Sequence, residues 1–133
     1  MKFQVLVADQ KTVNGRVYPQ SVIEAAIRRA EVRIKERKFT VHSETPPTLN
    51  NCLGIVNKFE MKGPRLMADI EWLPHMLANQ VKSQASSHQV VWSPDGFGQV
   101  AEDGKVSDYE MIALIAAPRS TKRERQSDQG PAS

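Results

Sequence analysis

Apolar positions along this chain follow two rhythms. Phe3 to Ala8 is a run of strand length, apolar enough to begin a core. Ile23, Ile27, Ala30 and Ile34 then recur at the spacing of one helix face, which predicts a helix over 19–37. Pro19 suits the first turn of that helix, where a missing N–H costs nothing. Ahead of it, Asn14-Gly15 supplies a turn, because both residues tolerate positive φ.

Beyond the helix the period drops to two. Phe39 to His42 is short and rich in β-formers, and 43–51, with Pro46-Pro47 and Asn50-Asn51, reads as loop. Leu53 to Glu60 reads as a strand and Met61 to Pro64 as a turn. Leu66, Ala68, Ile70 and Trp72 then alternate with Met67, Asp69 and Glu71, a half-buried strand that forms a hairpin with its predecessor. Pro74 is expected to open a second helix reaching about Ser86, with Leu73, Leu77 and Val81 on one face. Gln89 to Trp92 reads as a strand that breaks into a turn at Ser93-Pro94-Asp95-Gly96-Phe97-Gly98. A hairpin turns at Glu102-Asp103-Gly104, and Tyr109 to Ala117, the most apolar segment, is expected to be a central strand that Pro118 ends. Strict β-α-β alternation is absent. The expected class is therefore α+β: a small, mainly antiparallel β-barrel with flanking helices.

Length and charge narrow the picture. The 133 residues suit one domain, expected at 1–118, with 119–133 as a charged, disordered tail almost free of apolar residues. No run approaches the roughly 18 consecutive apolar residues of a membrane span, and the start turns polar too soon for a secretory signal. The single cysteine, Cys52, forbids an intrachain disulfide and fits a reducing compartment. A net charge of +3 and a pI near 9.2 suggest nucleic acid until the charge is located. Six basic residues lie in the first helix and its exit, and four in the tail from Arg119 to Arg125. Glu24–Arg28 and Glu31–Lys35 balance part of the helix at i,i+4 spacing. No aromatic residues interleave with these charges, so nucleic acid is not an expected partner.

Candidate chemistry is sparse. His42, His75 and His88 are scattered and lack metal-site spacing, and Gly96-Phe97-Gly98 lacks the helix and third glycine of a phosphate loop, so neither metal nor cofactor is expected. What remains is a nucleophilic set. Ser93 falls where a strand gives way to glycine-containing chain, a place that can expose a hydroxyl near free N–H groups. His42 ends a short strand and could take the serine proton. Asp108 and Glu110 share a face at the start of the apolar strand, and either could orient the imidazole. His75, in the first turn of a helix, and His88, five residues before Ser93, compete for the role of base. Taken singly, each of these residues also has an ordinary reading as a turn serine, a satisfied histidine or a solvated acid.

The order of motifs adds weight. Asn14-Gly15-Arg16-Val17-Tyr18-Pro19 before a helix resembles the N-terminal motif of tailed-phage prohead (capsid maturation) proteases. His42 in a following strand, "VVWSPDGFG" at 90–98 and "SDYEMIALIAAPRS" at 107–120 continue that family's order over about residues 3–120. The family is similar to herpesvirus assembly proteases, and the resemblance implies a β-barrel ringed by helices. It implies a serine endopeptidase acting on phage scaffold and major capsid proteins inside the immature prohead, in the host cytoplasm. Ser93 would be the nucleophile, His42 the general base, and Glu110 or Asp108 the orienting acid. The N-G-R-V-Y-P segment would be structural. Oligomeric state is left open between monomer and homodimer, the form in which herpesvirus-type assembly proteases act. The alternative is a catalytically inactive protease-like fold serving as a structural or capsid-binding head protein.

Overall fold

A computed structural model describes residues 2–119. The tail expected from 119 onward lies, beyond Arg119 itself, outside the described residues. Six strands form one sheet in the order β1-β4-β3-β2-β6-β5. They are β1 (Lys2–Val7), β2 (Thr40–His42), β3 (Cys52–Lys62), β4 (Arg65–Trp72), β5 (Val90–Val100) and β6 (Val106–Pro118). Helix α1 (Gln20–Lys35) precedes β2, and α2 (Met76–Ser86) joins β4 to β5. All neighbours are antiparallel except β2 and β6, which run parallel. The expected α+β class holds, with a mixed sheet curled into a half-barrel.

Aromatic contacts span the curl. Phe3 on β1 packs against Trp92 on β5 at 5.7 Å between ring centroids, although these strands are the two edges of the sheet. Trp72 touches both rings, edge-on to Phe3 at 5.7 Å and tilted to Trp92 at 6.5 Å. Deeper in, Phe39 and Phe59 meet edge to face at 5.0 Å, a geometry aromatic pairs prefer. Leu53, Leu66, Val41 and Leu114 complete the buried core around them.

Both helices form, each shorter than predicted (α1 starts at Gln20 with Pro19 as its N-cap) and with different inner faces. In α1 the buried residues are Ile23, Ala26 and Ala30, while Ile27 and Ile34 are only partly covered. The alanines let the helix lie close to the sheet, so the stripe is narrower in side chain and shifted from the isoleucine line. Arg37, with φ of 58°, ends the helix and reaches Glu71 at 3.2 Å. α2 starts at Met76, not at Pro74, because His75 is its N-cap: Nδ1 accepts the Ala78 N–H at 3.1 Å. It buries Ala78, Val81 and Ala85, and leaves Leu73 and Leu77 exposed.

The largest departure concerns 93–98. No turn forms there; β5 runs unbroken from Val90 to Val100, with a bulge between Asp95 and Gly96. Pro94 is tolerated because β5 is an edge strand, and proline cannot donate into a ladder on both sides. Gly96 serves close approach, since a Cβ there would lie 1.9 Å from the Glu110 carbonyl oxygen. Gly96→Ala should therefore overpack the bulge and cost about 3 kcal/mol. A urea denaturation midpoint equal to wild type would show that β5 does not follow this path.

Candidate active site

The short strand β2 carries His42, and its two neighbours fix where the ring stands. Against β3 the register slips between Val41 and His42, so His42 faces Cys52 at a bulge, a device that re-aims side chains beside functional sites. Against β6, His42 pairs with Ile115. Ser93 on β5 pairs with the same Ile115 from the other side. Residues paired across a sheet share a face, so Ser93, Ile115 and His42 form one row across three strands. Thr40, Ala113 and Asp95 form the next row. Two strand spacings separate Ser93 from His42, about 10 Å between Cα atoms.

The imidazole is buried and fully engaged. His42 is 5% exposed, its Nδ1 lies 2.7 Å from Asn51 Oδ1, and its Nε2 lies 2.8 Å from Thr40 Oγ1. Neither expected acid is among these partners. Glu110 and Asp108 lie five and seven residues before Ile115 along β6, about 17 and 23 Å away from it at strand rise. Instead, Asp108 pairs with Arg29 at 2.8 Å and Glu110 faces Arg33 at 3.9 Å, both arginines on α1. Arg29 also donates to the Tyr109 carbonyl at 3.3 Å. The acids thus tie α1 to β6, and two of the basic residues counted on the helix serve its docking.

The other two histidines are placed elsewhere. His75 spends both ring nitrogens on structure, capping α2 and lying 3.0 Å from the Cys52 carbonyl oxygen through Nε2. His88 is exposed in the turn before β5, with φ of 59°. Thr40 and Asn51 are the residues that sequence reasoning missed. Thr40, two positions before His42 on a strand, was legible in principle because i and i+2 share a face. Asn51 lay in a stretch read only as loop.

The N-G-R-V-Y-P segment explains itself here. Thr12 closes a tight turn: its N–H donates to the Arg16 carbonyl at 2.7 Å, and its hydroxyl bonds Asn14. Gly15 takes φ of 82° within it. Val17 then bridges to the β5–β6 hairpin, donating to the Gly104 carbonyl and accepting from the Val106 N–H, both at 2.8 Å. Gly104 backs directly onto this turn, where a Cβ would come 2.1 Å from the Gly15 carbonyl oxygen. Tyr18 is buried edge-on against Tyr109 at 5.4 Å. The turn also walls a cavity of about 200 Å³ beside the candidate nucleophile, lined by Thr12, Val13, Tyr18, Trp92, Ser93 and Pro94 among others.

Tyr109 joins this wall to the serine. Its hydroxyl donates to the carbonyl oxygen of Pro94, the residue after Ser93, at 3.2 Å. Burial, with Tyr18 and Asp95 adding to it, holds that hydroxyl well above the usual tyrosine range, so it remains a neutral donor. Among the described residues no group of three or more His, Cys, Asp or Glu side chains is arranged to hold a metal ion, and no helix is long and apolar enough to cross a membrane.

With the geometry in place, comparison locates the fold. The chain is similar in structure to the bacteriophage T4 capsid assembly protease gp21, with a TM-score of 0.66 and 14% sequence identity over 88% of this chain and 79% of that one. No family model matches the sequence, and no curated protein matches it. At that identity the likeness shows the fold alone.

Two outcomes follow from the contacts. Tyr109→Phe should lose about 1 kcal/mol of stability through the Pro94 carbonyl it leaves unpaired; an unchanged unfolding midpoint would show that the bond is not made. Asp108→Asn and Glu110→Gln should each cost no more than about 1 kcal/mol, as half-exposed ion pairs do. A loss several times larger in thermal unfolding would mean that these acids serve more than the α1 contact.

Proposed function

We propose that this protein is a serine endopeptidase of phage head maturation, cutting scaffold and capsid proteins inside the immature prohead in the host cytoplasm. The observation that carries the reading is the shared register: Ser93 and His42 flank the same residue, Ile115, on one face of a sheet whose fold is similar to that of a phage capsid assembly protease. In this reading Ser93 Oγ attacks the scissile carbonyl and His42 Nε2 takes the proton. The imidazolium then returns it to the leaving amine, and water hydrolyses the acyl-enzyme by the same route. For the first transfer Nε2 exchanges the Thr40 hydroxyl for that of Ser93, a side-chain movement within an unchanged sheet.

Two further features support it. β5 is an edge strand of the sheet, and an extended peptide would add to it as a further strand. The 200 Å³ cavity beside Ser93 suits one substrate side chain. The roles of Asp108 and Glu110 in this reading are positional, through α1, since His42 has other partners.

One observation favours a second reading. Nε2 is held by Thr40 in the resting arrangement, and not by Ser93. A protein that keeps the protease fold as a structural or capsid-binding head component would show this contact permanently. The deciding experiment incubates purified protein with the scaffold and capsid precursors of its phage. Cleavage by wild type that Ser93→Ala reduces at least ~10³-fold, with an unchanged circular dichroism spectrum, is the expected result. Cleavage by Ser93→Ala at the wild-type rate would remove Ser93 from the chemistry. Absence of cleavage together with stable binding to capsid protein would favour the structural head protein.

A further inference from the structure

Asn51 stands at the crossing of four hydrogen bonds. Its Nδ2 donates to the Glu44 carbonyl at 3.3 Å and to the Pro46 carbonyl at 3.0 Å. Carbonyl oxygens only accept, so this end of the amide is the nitrogen. Its Oδ1 accepts the Thr48 N–H at 2.9 Å. A backbone N–H only donates, so that end is the oxygen. The amide orientation is thus set independently at both ends by groups with no choice of role. The same Oδ1 lies 2.7 Å from His42 Nδ1. An amide oxygen cannot donate, so Nδ1 must carry the proton. In the neutral ring Nε2 is then the lone-pair nitrogen, and Thr40 Oγ1, 2.8 Å away, supplies it with a hydroxyl donor.

Free histidine side chains in water favour the opposite tautomer, with the proton on Nε2. A base in that form would turn its lone pair toward Nδ1, away from any hydroxyl it must deprotonate. Asn51 is 9% exposed and His42 5%, so water does not compete well for this contact. We propose that Asn51 is the positioning residue of His42 and fills the place expected of an acid, holding the neutral ring with its proton on Nδ1 and its lone pair on Nε2. This rests on the reading of His42 as general base. The arrangement orients the base without adding a charge beside it, which separates it from a carboxylate-oriented pair.

The test reads the tautomer directly. Long-range ¹H–¹⁵N correlation spectra of the labelled full chain, taken where His42 is neutral, should show a protonated Nδ1 and an unprotonated Nε2. Asn51→Ala should move the ring toward the Nε2–H form and lower kcat on precursor roughly 10²- to 10⁴-fold with little change in KM. Thr40→Val should leave the Nδ1–H form in place, and so should Ser93→Ala, although the latter abolishes cleavage. A wild-type spectrum with the proton on Nε2 overturns the proposal, as does an Asn51→Ala variant that keeps it on Nδ1. Should Asn51→Ala fail to fold for want of its loop contacts, the wild-type and Thr40→Val spectra decide: loss of the Nδ1–H form in Thr40→Val transfers the hold to Thr40 and overturns the role of Asn51. A chain that cleaves no precursor yet shows the Nδ1–H form, lost in Asn51→Ala, removes the protease reading and leaves the hold of Asn51 on the ring intact.

Discussion

The structure depends on the burial of β6. Val106, Tyr109, Met111 and the run from Ala113 to Ala116 are all buried, which requires cover on both faces, and at Ala113–Ile115 a hydrogen-bonded strand lies on each side. β5 supplies one side through a long hairpin. Along Ala113–Ile115 the other is taken by β2, three residues long and parallel to β6. That short parallel pairing carries His42 to the same row as Ser93. A strand of three residues would be marginal at an edge; here it is fixed because β3 and β6 both bond it and Val41 is fully buried between them.

The outer pieces then hold the β5–β6 hairpin in place. Arg29 and Arg33 bind α1 to Asp108 and Glu110 near its turn. The turn ahead of α1 bonds the hairpin through Val17 and packs Tyr18 on Tyr109. Tyr109 in turn reaches the Pro94 carbonyl. A continuous set of contacts therefore runs from the N-G-R-V-Y-P segment to the residue after Ser93. The segment's sequence is dictated by that docking: a glycine where φ is positive, a tyrosine to bury, and a proline to cap the helix.

Much of this was legible along the chain because it is local. The spacing of Ile23 and Ala30 marks α1, and the alternation of Leu66, Ala68 and Ile70 marks β4. Long-range features were not. Ser93 to Gly98 reads as a turn because proline and glycine usually mark one, and only the edge position of β5 and the close approach of the Glu110 carbonyl show why they stand in a strand. Asp108 and Glu110 read as candidates to orient His42 because a carboxylate at the start of a buried strand needs a partner; the arginines that supply it lie 79 and 77 residues earlier in sequence, on α1. Asn51 gave no signal at all, since its meaning comes from the carbonyls of Glu44 and Pro46 and the ring of His42, which a folded loop brings together.

The central claim is that Ser93 is the nucleophile served by His42. A fluorophosphonate that modifies only activated hydroxyls, followed by mass mapping of the labelled peptide, tests it without any knowledge of the natural substrate. The account predicts a single adduct on Ser93 that disappears in His42→Ala. An adduct on Thr40, the hydroxyl that contacts His42 in the resting structure, would contradict it, and so would a protein that takes up no label at all.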